Sequence, residues 1–371
     1  MNILSPVDFT RRGRLLPALV VMLPLVRCIA AGTTVPVYAA ADTFVMSPGA
    51  GNAGAYWDGA GRNFGSMRSR HVAAAAARPN NDPTKQPKGE FKVVARFYPS
   101  NAVEQLDREF GVGRWRISGL ALKLMTSDNV AGPGLFNAPG NAGRFRVSWM
   151  PLDGGWVQGE GYINQGADGH DPVATPANFS GLTFNQLQSI LASSSPVEIS
   201  TLEFVKNGIL APVTNVLAST NATFLAALAG GMPVSLLFEA ADDHVAFNFT
   251  SHLYGDDRFS SDYSAAVFVS ALPLRAPVAG FASNAGRPFL TVHFERQRGV
   301  TNLTCVVEAA PDLIDGPWTL LASGTNGAPM SGPGLLGEAG ALEPGISDVL
   351  VRDLETSPSP GCRFVRIRCI R

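Results

Sequence analysis

The octapeptide FKVVARFY, Phe91 to Tyr98, decides the fold class. Phe91, Val93, Ala95 and Phe97 recur at every second position, the period at which successive side chains of a β-strand point to one face. The same period runs through RFRVSW (Arg144 to Trp149), where Phe145, Val147 and Trp149 face inward and Arg144, Arg146 and Ser148 face water. It returns in VEISTLEF (Val197 to Phe204), VSLLFEA (Val234 to Ala240), VAFNFTS (Val245 to Ser251) and SAAVFVSAL (Ser264 to Leu272). With TVPVYAAADTFV (Thr34 to Val45) as the opening strand and GGWVQGEG (Gly154 to Gly161) as another, half-buried strands dominate the first 272 residues.

One strand changes phase. Trp115 and Ile117 lie on one parity and Leu120, Leu122 and Leu124 on the other, so a β-bulge at Ser118 and Gly119 is needed to keep a common inward face. Three short helices connect strands. NAVEQLDREFG (Asn101 to Gly111) places Val103, Leu106 and Phe110 on one face. TFNQLQSILA opens with Thr183 and Gln186 at capping-box spacing, and NATFLAALAGG ends at Gly230, which suits a left-handed cap.

Composition agrees. The 371 residues are 46% hydrophobic and 9% aromatic but only 16% charged, with 39 Gly and 27 Pro, a balance that supplies cores and turns rather than long solvated helices. The expected fold class is all-β: a jelly-roll-like β-sandwich with a few short helices, followed by a second smaller β-sandwich.

The stretch SPGAGNAGAYWDGAG (Ser47 to Gly61) tests that reading, because Gly49, Gly51 and Gly54 fall at the G-x-G-x-x-G spacing of dinucleotide-binding loops. That chemistry needs a helix directly after the third glycine, whose N–H groups hold the pyrophosphate. Here AYWDGAGRNFGS follows, with three more glycines and no helical period, so the stretch reads as a loop.

Residues 1–31 read as an export signal: Arg11, Arg12 and Arg14, then the apolar run Leu15 to Val26, then the small residues Ala30, Ala31 and Gly32. The run is too short to span a bilayer, and Arg27 directly before Cys28 does not suit a lipoprotein anchor. Its removal takes away four arginines and one aspartate and moves the net charge from −1 to −4. Such a balance offers nothing to nucleic acid, and no membrane span is expected in the mature chain. The expected location is secreted, extracellular or at the cell surface.

The expected organisation is residues 33–272 as the first sandwich, 273–286 as a linker and 287–371 as the second. PLRAPVAGFASNAGRP (Pro273 to Pro288) shows no period and several Pro and Gly residues. FLTVHFERQ, LTCVVEAA, WTLLASG, DVLVRDLE and RFVRIRCI read as strands, separated by a long glycine-rich loop, Gly324 to Ser347, in a small sandwich of the fibronectin type III class. The mature chain keeps Cys305, Cys362 and Cys369. Cys305 and Cys369 both sit on inward parities, and two states remain open for them, buried thiols or one bridge.

The order ADTFV (Ala41 to Val45), NFG (Asn63 to Gly65), GEFKVVARFY, WRISGLALKL and GGWVQGEG resembles the DNRLRE-type domain of secreted bacterial proteins, a jelly-roll-like sandwich. GGMPVSLLFEAADDHVAFNFTSHLYG (Gly230 to Gly255) resembles the version found in exported proteins of Verrucomicrobia, and the last segment is similar to a C-terminal β-module that accompanies it. The resemblance implies a non-enzymatic role in surface structure, adhesion or carbohydrate contact and carries no catalytic residues. The hydrophobic sorting tail of many relatives has no counterpart before Arg371.

Candidate sites are few. A pyranose needs an exposed ring for its C–H face and polar neighbours for its hydroxyls, which Tyr56, Trp57 and Asp58 offer among flexible glycines. Trp57 has a second reading, a plug over the open end of the sandwich, while Trp115, Trp149 and Trp156 belong to the core. A structural Ca²⁺ is the better metal candidate, through Asp168 and Asp171 of DGHDP and the acidic run GDDRFSSD (Gly255 to Asp262). The five histidines form no recognisable catalytic or zinc pattern, although His244 and His252 are expected near each other across a hairpin. Arg366, Arg368 and Arg371 present a basic strand face to a polyanion. The alternative function is a jelly-roll polysaccharide-degrading enzyme, for which Glu160, Glu203 and Glu239 are the strand-associated acids.

Overall fold

A computed structural model describes residues 32–48, 72–75, 88–126, 136–159, 181–204, 211–218, 220–253, 260–314, 316–356 and 363–371. The chain is all-β and sandwich-like, with three short helices and strand pairings that are antiparallel throughout the described residues.

Strand β1 (Thr33–Met46) belongs to two sheets at once. Its first half, Thr33 to Tyr38, pairs with β10 (Ala266–Pro273), and its second half, Ala39 to Met46, pairs with β3 (Phe91–Phe97), with a register shift between Ala39 and Ala41. Beyond β10 lie β4 (Trp115–Met125) and β7 (Pro212–Val216). Beyond β3 lie β8 (Val234–Ala240), β5 (Gly143–Met150) and β6 (Val197–Phe204). Two short strands, β2 (Val72–Ala75) and β9 (Ala246–Phe249), pair with each other, and β2 also meets β3.

Between these layers lies an aromatic core. Phe145 and Phe247 stack at 5.4 Å with 15° between planes, and Phe204, Phe238 and Phe249 lie against them, all fully buried. Offset and tilted ring pairs of this kind add about 0.5–1.5 kcal/mol each beyond their burial. The expected bulge is present: Ser270 faces Gly119 and Ala271 faces Ile117, which leaves Ser118 as the extra residue and turns Trp115 and Leu120 to the same core.

The β3 face expected to meet water is covered. Val45, Val94, Met150 and Leu237, on the outer side of the sheet, pack under Trp156, Leu182 and Leu187 in a second core. Its lid is α2 (Phe184–Ser193), where the capping box forms as its spacing implies: Gln186 N–H donates to Thr183 Oγ1 at 3.2 Å and Thr183 N–H to Gln186 Oε1 at 2.9 Å. GGWVQGEG is no strand over its described part. Gly154 and Gly155 follow each other at φ 64° and 62°, and Asp153 Oδ1 accepts from Gly155 N–H, so the chain turns and delivers Trp156 to the outer core from a loop.

Of the two remaining helices, α1 (Ser100–Phe110) buries Ala102, Val103 and Leu106, while α3 (Ala222–Ala229) ends one residue later than its sequence suggests. Gly230 keeps a right-handed φ of −79°, and Gly231, at φ 71°, takes the left-handed position. Met232 N–H then reaches Ala227 C=O and Gly231 N–H reaches Leu228 C=O, the paired bonds of a Schellman motif.

The second sandwich packs the sheet β11 (Val278–Asn284), β12 (Arg287–Gln297), β16 (Ile346–Thr356), β15 (Leu335–Gly340) on the sheet β14 (Thr319–Gly324), β13 (Thr304–Ala310), β17 (Phe364–Ile370). Phe294, Val307, Leu321, Val349 and Val351 form its core. Two stretches differ from their sequence reading. The supposed linker holds β11, which pairs with β12 through a tight turn on Ala285 and Gly286 at φ 49° and 76°. Both positive angles mark a type I′ hairpin, and β11 shows no alternation because Val278 and Phe281 are largely exposed. Likewise, the glycine-rich loop contains β15, whose pattern of exposure lacks the two-residue alternation of a half-buried strand.

The two sandwiches interlock. Val300 and Leu303, from the turn before β13, are buried in the core of the first sandwich. Arg114 C=O accepts from Leu274 N–H beside β10, so Trp115 C=O, one residue on, points away from it, and β7 reaches only Ala121 to Met125 of β4. Gln297 Nε2, from the buried end of β12, fills that place and donates to Trp115 C=O at 2.6 Å. An Arg116–Glu343 ion pair and the C-terminal Arg371 complete the seam.

Candidate functional site

The most buried polar cluster of the described residues centres on Asp42. It stands mid-strand in β1, 0% exposed, where the ladder of a hydrophobic strand offers a carboxylate no partner of its own. Ser251 Oγ donates to Asp42 Oδ1 at 2.5 Å, His252 N–H donates to Oδ2 at 2.6 Å, and His252 Nδ1 lies 3.1 Å from the same oxygen. Gln158 Oε1 accepts from Asp42 N–H at 3.1 Å. A buried carboxylate survives only with such donors, so this knot ties β1, the segment after β9 and the loop after β5 into one point.

Its residue types are those of a hydrolytic triad, but its geometry is different. In a triad the imidazole takes the serine proton on one nitrogen and holds the carboxylate on the other. Here Ser251 Oγ and Asp42 both face Nδ1 of His252, at 3.5 and 3.1 Å, and Ser251 donates directly to the carboxylate. The arrangement locks backbone segments together.

A second cluster covers the outer core. Arg96 lies 4.6 Å above the Trp156 ring and donates to Asp153 through Nε and Nη2, at 3.1 and 2.7 Å. Ser235 Oγ donates to Asp153 Oδ2 and accepts from Trp156 Nε1. Burial pushes the Asp153 carboxyl up, but the hydrogen bonds from Ser235, Gly155 and Arg96 outweigh it and hold the pKa below the usual range.

The sequence-derived acids and arginines are engaged elsewhere. Glu239 receives Lys92 Nζ at 2.5 Å across the β3–β8 pair, and Glu203 is exposed on the edge strand β6. Arg366 and Arg368 share Glu308, at 2.8 and 3.2 Å, and Arg366 also covers the Trp318 ring at 3.8 Å. Burial raises the Glu308 pKa, and the two guanidiniums lower it further than that, to a net depression. Arg371 donates to Asp107, Asn302 and the Ala229 carbonyl. The expected polyanion face is therefore largely neutralised by its own carboxylates. His244 is exposed beside Asp243, whereas His252 is buried on Asp42.

Trp115 and Trp149 are buried on strands, as their patterns imply, and Trp156 is buried from a loop in place of the expected strand. Tyr56, Trp57, Asp58, Glu160, Asp168 and Asp171 lie outside the described residues. Among the described residues no three His, Cys, Asp or Glu side chains are grouped to hold a metal ion, and no helix is long and apolar enough to cross a membrane. The Asp42 knot was missed in the sequence, although a lone aspartate between Ala41 and Thr43 inside an otherwise apolar strand signals a required partner.

No protein-family model matches the chain, and no curated protein matches it.

Proposed function

We propose that this chain is an exported, non-enzymatic β-sandwich protein of a bacterial cell surface or extracellular matrix, which contacts polysaccharide through Tyr56, Trp57 and Asp58. The observation that carries the reading is the interlock of the sandwiches: Val300 and Leu303 of one fill the core of the other, and Gln297 closes the seam on Trp115. A body joined in this way holds its loops at fixed separation, as a scaffold or adhesive component requires. The internal pairing of Glu239, Glu308, Arg366 and Arg371 adds support, since those groups stabilise the fold.

The proposed ligand class follows from chemistry: a polysaccharide offers C–H faces to aromatic rings and hydroxyls to Asp58. Sedimentation with insoluble polysaccharides tests it. The full chain is retained and Trp57→Ala is released; equal retention of both removes Trp57 from the proposal. A reducing-sugar assay on the same mixtures yields no product. Product that disappears in Glu160→Gln overturns the non-enzymatic reading in favour of a polysaccharide-degrading enzyme. Bound Ca²⁺ at Asp168 and Asp171 raises the melting temperature in a calcium titration, and no shift at millimolar metal removes that site.

A further inference from the structure

Cys305 and Cys369 stand directly opposite each other in the antiparallel β13–β17 pair, with their sulfurs 3.6 Å apart and both thiols free. Facing residues in such a pair have Cα atoms about 4.5–5.5 Å apart, inside the span of about 4.4–6.8 Å that a disulfide bridges without moving the backbone. Cys305 is 1% exposed, while Cys369 is half-buried on the edge strand of its sheet and packs against both sandwich cores. Their exposures differ, and so do the directions of their pKa shifts. The contact with Cys369 and burial both raise the Cys305 pKa, and the same contact lowers that of Cys369, with Arg114 and Arg296 adding to the effect.

We propose that Cys305 and Cys369 are a disulfide-forming pair that staples β17 to β13 when a disulfide oxidant reaches it, with Cys369 as the entry thiol and Cys305 as the resolving one. Cys369 attacks one sulfur of the oxidant R–S–S–R, and the first R–SH leaves with the Cys369 proton. The Cys305 sulfur then attacks Cys369, and the second R–SH leaves with the Cys305 proton. Two thiols are oxidised and one disulfide is reduced. The bridge joins positions 64 residues apart and staples β17, with its Arg371 anchor, to the middle of its sheet. The inference rests on strand register and stands independently of export.

The test uses the full chain, reduced and then incubated with oxidised glutathione. Free thiols are alkylated under denaturing conditions, and the non-reduced digest is weighed. The expected product is one cross-linked peptide pair, Cys305 with Cys369, two hydrogens lighter than the reduced peptides, with a melting temperature higher by about 6 °C. Cys362→Ser leaves both results unchanged. Full alkylation of Cys305 and Cys369, glutathione left on Cys369, or a bridge to Cys362 in place of Cys305 would overturn the proposal.

Discussion

Replacing Asp42 by alanine removes a fully buried carboxylate and strands its donors, the Ser251 hydroxyl and the His252 N–H, beside His252 Nδ1. The hydroxyl rotates to another acceptor, but the His252 N–H is fixed by the backbone and faces a cavity the size of the lost group. An orphaned buried donor costs about 1–3 kcal/mol, and breaking a buried charged cluster about 3–5 kcal/mol, so the variant loses about 4 kcal/mol. With an unfolding entropy near 2.1 cal/mol/K per residue over the 371-residue chain, that loss lowers the melting temperature by about 5 °C. Asp42→Asn keeps one acceptor oxygen and turns the other into a donor that opposes His252 N–H, so it falls between wild type and alanine. Urea unfolding followed by far-UV circular dichroism measures all three. The cycle Asp42→Ala with Ser251→Ala shows a coupling of about 1 kcal/mol or more, because both changes break the same bond. An Asp42→Ala variant within about 0.5 kcal/mol of wild type, or strict additivity in the cycle, refutes the knot as a stabilising element.

Trp156→Ala empties the outer core beneath α2 and removes the ring under Arg96, for a loss of about 3–5 kcal/mol in urea unfolding, while Val157→Ala next to it is near neutral because Val157 is exposed. Glu338 accepts from Arg296 Nε at 2.9 Å and from Met330 N–H at 2.6 Å, and these bonds outweigh the burial that raises its pKa; like Asp153 and Glu308 it has a folded pKa below its unfolded one, so the stabilisation is complete above the unfolded value of about 4 and fades as pH falls through the folded values. The urea midpoint therefore drops on acidification below about pH 5, and Glu338→Gln flattens that drop. Gly231→Ala forces a side chain into a left-handed backbone, with its Cβ 3.3 Å from Ser100 Cα, and costs about 1–2 kcal/mol by thermal melting.

Much of this fold was legible because burial on one face writes itself into the sequence with period two. The boundaries of VEISTLEF and the bulge at Ser118 follow from that logic, and the capping box at Thr183 from its own three-residue spacing. Strands without a buried face leave no such trace. β7 and β15 are largely exposed or half-buried, and β11 is shown chiefly by its Ala285–Gly286 turn. Conversely, Val94 is buried although its parity faces outward, because α2 and Trp156 cover the sheet from distant parts of the chain. The polar sites were hardest to read. Asp42, Ser251 and His252 are separated by some 210 residues, and only the register of β1 and the chain after β9 brings them together. Gln297 looks like an ordinary strand end until the bare edge of Trp115 is seen beside it.

The interlock of the two sandwiches is tested most directly by calorimetry of the full chain at neutral pH. Because Val300, Leu303 and Gln297 tie one core to the other, a single endotherm is predicted, with equal calorimetric and van't Hoff enthalpies. Two separate endotherms, one for each sandwich, would contradict it.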